Sequence, residues 1–325
     1  MTTQTLDTVV HAISLASSSG ASRCYELRAA DGGTLPPFEA GAHVDVHLGP
    51  SLVRSYSLLN SPQQKDRYLI CVRRDDTGRG GSQAMHRDIA VGQRLRISAP
   101  RNLFALVDAE RYILLGGGIG VTPLLSMAET LAARGAAFTL HHYTTGEADA
   151  PLLERLREAP FADRVTVHHS AAGDSVRAGL PAELHAPDTE SAVYVCGPAG
   201  FMAHVTERAG ELGWRDGQIR LERFAPAART DEQPADDGEF SVRIASTGAC
   251  YAVPADRTIA EVLTDHGVEI ELSCEQGMCG ACLTPVLAGE PDHRDDVQTP
   301  EEHAANTQIT LCCSRARTPE LVLGL

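Results

Sequence analysis

Cys274-Glu275-Gln276-Gly277-Met278-Cys279-Gly280-Ala281-Cys282 sets three thiols on one short stretch, and Cys312-Cys313 follows thirty positions after the last of them. A C-x4-C-x2-C run with a distant fourth cysteine is the plant-type ligand spacing of a 2Fe–2S cluster. The chemistry asks for a loop that turns several thiolates inward while backbone amides point at the sulfurs. Gly277 and Gly280 stand between the ligands, where such a loop calls for residues without a Cβ. Zinc is the competing reading, but zinc knuckles use two short Cys or His pairs rather than three cysteines on one loop and a remote fourth. Cys312 and Cys313 compete for that fourth position. The remaining cysteines of the nine are scattered singly, which is not a disulfide framework.

Around this loop the sequence reads as a small separate domain. Phe240, Val242 and Ile244 alternate as one face of a strand. A helix is expected after Asp256, whose carboxylate can cap it, with its end at Gly267. Ala225–Gly238 (APAARTDEQPADDG) has almost nothing to bury and reads as a linker. From Glu239 to Leu325 there are 14 Asp and Glu against 5 Arg, so this stretch carries most of the net charge of -15. Solubility accounts for that asymmetry, and so does a basic partner surface. Sequence-independent nucleic-acid binding is excluded on the same ground, since it needs clustered Lys and Arg.

The 325 residues amount to two or three domains, and 43% hydrophobic with 22% charged residues is ordinary globular composition. No apolar run is long enough for a membrane helix, and Met1–Leu15 lacks the basic and apolar segments of a signal peptide, so a cytoplasmic location is expected. The first hundred residues read as β, with His43–Leu48, Tyr68–Arg73 and Arg94–Ile97 set between Gly-, Pro- and Asn-containing turns. From about Arg111 the pattern changes. Strands are expected at Tyr112–Leu115, Ala137–Tyr143, Arg164–His168, Ala192–Cys196 and Gln218–Phe224, and helices at Pro123–Arg134, Pro151–Glu158 and Ala199–Leu212. That alternation implies a parallel sheet covered on both faces.

Three further motifs carry chemistry. Leu114–Pro123 (LLGGGIGVTP) follows a strand and opens a helix, so its glycine amides and the helix start can receive a pyrophosphate. Gly116, Gly118 and Gly120 are the candidate contacts, with Thr122 as N-cap and Pro123 as first helical residue. The fingerprint G-x-G-x-x-G is not met, because Pro123 stands where the third glycine belongs. A plain glycine-rich turn is the alternative. Arg54-Ser55-Tyr56-Ser57 reads as a strand with Arg54 and Tyr56 on one face, a phosphate fork beside an aromatic ring. Arg79-Gly80-Gly81-Ser82 offers a second phosphate cradle, and the two motifs together point to a flavin. Cys196-Gly197-Pro198 ends a strand of the parallel sheet, where ligands bind, so Cys196 can lie beside a nicotinamide. A lone strand-end cysteine is more commonly just buried. His43, Asp45 and His47 share a strand face and read as a polar barrel face, while His141-His142 and His168-His169 point to opposite faces and chelate poorly.

With these motifs in this order, the sequence resembles the phthalate dioxygenase reductase family over essentially its whole length. The closing Cys312-Cys313-Ser314-Arg315-Ala316 matches as well. The resemblance implies a multidomain fold: an antiparallel flavin-binding β-barrel over 1–105 and an α/β parallel-sheet nucleotide domain over 106–226. It also implies a linker over 227–238 and an α+β, β-grasp 2Fe–2S ferredoxin domain over 239–325. The nucleotide domain would be like that of ferredoxin–NADP reductases. The implied flavin is FMN, its phosphate at Arg54, Gly81 and Ser82, its ring at Tyr56 and Ser57, with Phe224 covering the ring near the nicotinamide. Ser55, Arg79 and Gly80 complete the flavin motifs, Cys196, Gly197 and Pro198 the nicotinamide side, and Cys196 and Ser57 are the expected reacting centre. The implied cluster ligands are Cys274, Cys279, Cys282 and Cys312.

The implied carriers fix the logic of the reaction. NADH gives two electrons as a hydride, a 2Fe–2S cluster accepts one at a time, and a flavin does both. The expected acceptor is the oxygenase component of a Rieske-type system, docking near the acidic ferredoxin domain of a monomeric reductase. A stand-alone reductase of a quinone or other small acceptor is the alternative, and a non-catalytic redox sensor fits least. NADH is expected over NADPH because His142–Asp149 (HYTTGEAD) has no basic residue to meet a 2′-phosphate, whereas Glu147 can accept a bond from a free 2′-hydroxyl.

Overall fold

The computed structural model describes residues 5–49, 52–78, 80–224 and 238–325. They fall into two compact units that part after Phe224. Arg79 and the linker residues 225–237 lie outside the described residues.

The first unit opens with β1 (Thr5–Leu15), β2 (Ser22–Ala29), β3 (His43–His47), β4 (Val53–Ser57), β5 (Tyr68–Arg73), α1 (Gly81–Asp88) and β6 (Arg94–Ser98). Among the described residues these six strands form one antiparallel sheet in the order β4-β3-β6-β1-β2-β5. A bridge between Leu58 and Ile70 and the Leu59 N–H bond to Leu69 O (3.0 Å) join its two edges, so the sheet closes into a barrel. Closure removes the unpaired edges that an open sheet would expose. Val10, Tyr25, Leu27, Val44, Val46, Ile70, Val72 and Ile97 fill the interior, each from an alternate position of its strand.

Beyond the barrel come β7 (Arg111–Gly117), α2 (Val121–Ala133), β8 (Ala137–Thr144), α3 (Leu153–Arg157), β9 (Val165–His169), β10 (Ser191–Cys196), α4 (Ala199–Glu211) and β11 (Ile219–Glu222). The five strands are parallel, in the order β11-β10-β7-β8-β9. β7 is buried on both faces: Tyr112 and Leu114 pack with Leu124, Leu125 and Ala128 of α2, Ile113 and Leu115 with Met202 and Val205 of α4. This is why Tyr112–Leu115 reads as an unbroken apolar run. The chain leaves β7 first toward β8 and β9 and later returns to β10 and β11 on the other side. The carboxyl ends of β7 and β10 therefore flank a topological switch point, the place where open α/β sheets bind ligands. Leu59 and Phe104 of the barrel pack into the cluster under α2, and Ser126 of α2 donates to Asn60 O at 2.8 Å.

The second unit contains β12 (Phe240–Ile244), β13 (Cys250–Val253), α5 (Ile259–Asp265), β14 (Leu283–Ala288), β15 (Pro291–Asp292), α6 (Pro300–Ala305), β16 (Gln308–Thr310), β17 (Arg315–Ala316) and β18 (Glu320–Leu323). Its five-stranded mixed sheet runs β13-β12-β18-β14-β16, with β12 and β18 parallel. Phe240, Val242 and Ile244 are all buried against Ile259, Val262 and Leu263 of α5, which makes the β-grasp core.

Several local expectations are corrected. β1 and β2 carry mixed polar and apolar residues and were not legible as apolar stretches. A 3₁₀ turn at Gly118–Gly120 runs straight into α2, which begins at Val121 with Gly120 as N-cap. Thr122 is therefore inside the helix with its hydroxyl on Ile119 O (3.0 Å), and Pro123 sits third, still among the residues whose N–H needs no helical partner. Asp256 does not cap α5. Thr258 does, in a reciprocal box with Glu261 (2.8 and 3.1 Å), because only Thr258 stands three residues before a glutamate.

Candidate functional site

Ser57 ends β4 of the barrel and Glu222 ends β11 of the parallel sheet, and the serine hydroxyl donates to Glu222 Oε2 at 3.4 Å. Glu222 is the register partner of Cys196 across β10 and β11. A hydroxyl, a carboxyl and a thiol from three strands thus converge at the carboxyl end of the parallel sheet. Burial pushes the Glu222 carboxyl up to about 8, against the pull of the Ser57 hydrogen bond. Cys196 is fully buried, and burial first and the neighbouring Glu222 second hold it well above the ordinary thiol range. A thiol held that way keeps its proton at neutral pH, and it stands beside Glu222 at the switch point.

His43 is the register partner of Ser57. The Leu58 N–H bond to Ala42 O makes the neighbouring pair hydrogen-bonded, so His43 and Ser57 form the close, non-hydrogen-bonded kind. Burial first and the Arg101 guanidinium second hold His43 down at about 4, a neutral imidazole. Asp45 on the same face pairs with Arg101 and accepts the Ser55 hydroxyl at 2.7 Å. The His43, Asp45 and His47 face is therefore polar through an ion pair, and Ser55 is turned toward Asp45.

Arg54 and Tyr56 occupy the other face of β4, Tyr56 against the barrel core. The stem of Arg54 lies against Gly81, where any Cβ would overlap its Cγ. Gly80 precedes α1 in the left-handed conformation (φ 79°). An arginine held against a helix start by a glycine is a cradle that suits a phosphate. Ser82, next in α1, accepts the Asp75 N–H at 3.0 Å. Phe224 lies two residues beyond β11 and is 40% exposed.

The glycine run divides by role. A Cβ on Gly120 would overlap Cys196 O, one on Gly117 would come within 2.9 Å of Pro198, and one on Gly197 within 2.9 Å of Gly117 Cα. Gly116 is similarly pressed by Val121 Cα at 3.1 Å. Gly117, Gly120 and Gly197 let the loops after β7 and β10 touch across the switch point, while Gly116 makes room for the start of α2. Gly118 alone has a left-handed φ (54°) with open space beside it, the cradle a dinucleotide needs. At the far edge, Glu147 is ion-paired to Arg157 at 2.5 Å, and Arg157 also meets Glu154 at 3.0 Å. The segment free of basic residues in sequence is thus reached by one in space.

In the second unit, backbone amides already point at the cysteine sulfurs. Cys279 Sγ accepts from Cys274 N–H (3.4 Å), Cys274 Sγ from Gln276 N–H (3.3 Å) and Cys312 Sγ from Gly277 N–H (3.3 Å). Glu275, Gly277 and Gly280 all take left-handed φ values, which is what winds three cysteines round one point. Cys313 is placed differently: its sulfur lies 3.2 Å from the Thr310 hydroxyl and 2.5 Å from where a Gly277 Cβ would be. Four cysteines gathered on these loops, three of them under donated amides, suit a 2Fe–2S cluster.

Residues 242–317 match the 2Fe-2S iron-sulfur cluster binding domain model. The chain is 49% identical over 301 residues to a vanillate O-demethylase oxidoreductase of Pseudomonas sp. (strain HR199 / DSM 7063), covering 92% of this chain and 94% of that protein. Among solved structures it is similar to phthalate dioxygenase reductase, described as modular for electron transfer from pyridine nucleotides to [2Fe-2S], with TM-score 0.75, 36% identity and coverage of 99% and 98%. This chain belongs to the phthalate dioxygenase reductase family. Members of that family are oxidoreductases, and the barrel, parallel sheet and C-terminal ferredoxin domain are its architecture. A further match, TM-score 0.84 at 33% identity, is to an intact type IV self-sufficient cytochrome P450 monooxygenase; it covers 99% of this chain but 41% of that one. Two residues of this reductase, Glu222 and His43, escaped the sequence reading as site residues. A carboxylate at the end of a strand beside Cys196 was the available signal for Glu222; nothing in the sequence singles out His43 as Ser57's neighbour. Among the described residues no helix is long and apolar enough to cross a membrane.

Proposed function

We propose that this chain is the NADH-dependent reductase component of a Rieske-type oxygenase system, binding FMN at the barrel and a 2Fe–2S cluster at Cys274, Cys279, Cys282 and Cys312. The observation that carries the reading is the meeting of Ser57 with Glu222 at the switch point, which joins the flavin barrel to the nucleotide sheet at one reacting centre. Bound FMN supplies the conversion between a two-electron donor and a one-electron acceptor. The chain's residues do the rest. Arg54 and the start of α1 hold the phosphate, Tyr56 and Phe224 flank the ring, and Gly118 with the start of α2 receives the pyrophosphate. Cys196 and His43, both neutral and buried, keep water from the centre, while Glu222 takes or releases a proton through the Ser57 hydroxyl.

NADH remains the expected donor. Arg157 is held by Glu147 and Glu154, so the ribose edge keeps net negative charge against a 2′-phosphate. The names of the relatives support an oxygenase as acceptor, and the likeness to the P450 protein supports a haem monooxygenase as second candidate. Supplying each purified acceptor with NADH and this chain tests the reading: NADH-driven turnover of a Rieske oxygenase supports it, and turnover of a quinone alone opposes it.

A further inference from the structure

Cys24 on β2 and Cys71 on β5 are register partners, and both are free thiols. The neighbours Tyr25, Ile70 and Val72 point into the barrel, so the two cysteines point outward, into the cluster beneath α2. The Arg74 N–H donates to Ala21 O at 2.8 Å, which makes that facing pair hydrogen-bonded. Alternation from it makes Cys24 and Cys71, three steps along, a non-hydrogen-bonded pair. Such pairs hold their Cα atoms about 4.5 Å apart, inside the roughly 4.4–6.8 Å that a disulfide spans. The pair is remote in sequence from the cluster loop and takes no part in the site around Ser57.

We propose that Cys24 and Cys71 form an oxidation site at which hydrogen peroxide closes a cross-strand disulfide. Cys24 is the attacking sulfur. It is half-buried, and the neighbouring Cys71 thiol and the Arg155 guanidinium hold it below the ordinary thiol value, whereas Cys71 is buried and held above it. The Cys24 thiolate attacks one peroxide oxygen, the O–O bond breaks, and one water leaves with a sulfenic acid on Cys24. The Cys71 sulfur then attacks that sulfur, the S–O bond breaks, and a second water leaves. Two thiols and one peroxide become one disulfide and two waters. The bond ties β2 to β5 on the face that carries α2.

The test uses the full-length holoprotein. It is exposed to a few equivalents of peroxide, quenched with catalase, alkylated under denaturing conditions and digested without reductant. Mass spectrometry is expected to show a Cys24–Cys71 linked peptide at least tenfold above the untreated sample, lost on treatment with dithiothreitol. The link should be absent from both Cys24→Ala and Cys71→Ala, and Cys24→Ala should keep the parent rate of NADH-driven dye reduction. Recovery of both residues as alkylated thiols, or of Cys24 as sulfinic acid with no link, overturns the proposal.

Discussion

The Ser57 hydroxyl reaches across from a barrel strand to Glu222 at the end of the parallel sheet, and the carboxyl it touches is raised by burial to about 8. A carboxyl higher in the folded than in the unfolded chain keeps its proton longer when folded. Its contribution to stability is therefore full below the ordinary carboxyl range and is lost as pH rises toward 8. Glu222→Gln removes that dependence. The thermal stability of the parent relative to Glu222→Gln is expected to fall across this window, by at most about 1.4 kcal/mol per pH unit. A difference that stays flat from pH 5 to 9 would mean that Glu222 is not a buried, proton-holding group.

Ser57→Ala deletes the hydroxyl without disturbing the Arg54 cradle. Flavin content should be unchanged, while NADH-to-flavin reduction slows by about tenfold or more, a common cost of losing one positioned polar group. Stopped-flow absorbance at the flavin band separates the two effects.

Gly81→Ala puts a methyl where the Arg54 stem runs. The expected outcome is a folded protein that retains iron and sulfide but purifies with most of its flavin missing. A flavin content equal to the parent's would show that the phosphate lies elsewhere.

Glu147→Gln releases Arg157 from its shortest ion pair. The guanidinium, left with Glu154 alone, should favour a 2′-phosphate, so the NADH/NADPH ratio of kcat/KM should drop by about tenfold, the worth of one charge contact of roughly 1–2 kcal/mol. An unchanged ratio would place nucleotide selection outside the His142–Asp149 segment.

Cys312 and Cys313 are adjacent but not equivalent. Cys312→Ser should remove acid-labile sulfide almost entirely, as should Cys279→Ser, with NADH-to-flavin reduction intact in both. Cys313→Ser should keep the cluster, since its sulfur rests on Thr310 and Gly277 rather than under a donated amide. Sulfide analysis of the three variants decides this.

Sequence periodicity exposed the parallel sheet well because β7 and β10 are buried on both faces and so read as unbroken apolar runs. β1 was invisible for the opposite reason: its burial is irregular, and a register shift between Val10 and Ala12 breaks its alternation. The cysteine spacing carried the cluster loop, since a metal cluster forces ligand type and separation onto a short stretch. Ser57, Glu222 and His43 meet only through pairings remote in sequence, and the Glu147–Arg157 contact depends on how α3 folds back, so spacing along the chain held no trace of either. The glycine run answers several demands that spacing alone does not separate: Gly117 and Gly120 are pressed by the Cys196–Pro198 loop, Gly116 by the start of α2, and Gly118 faces open space.

The most direct test is anaerobic. An excess of oxidised Rieske oxygenase component from a vanillate or phthalate system is mixed with NADH and a catalytic amount of this chain, and the Rieske absorbance is followed. Complete bleaching, at least tenfold faster than with Cys279→Ser in place of the parent, is the expected result. A Rieske protein that stays oxidised, while the same mixture reduces a quinone or a cytochrome P450 at full rate, would contradict the assignment.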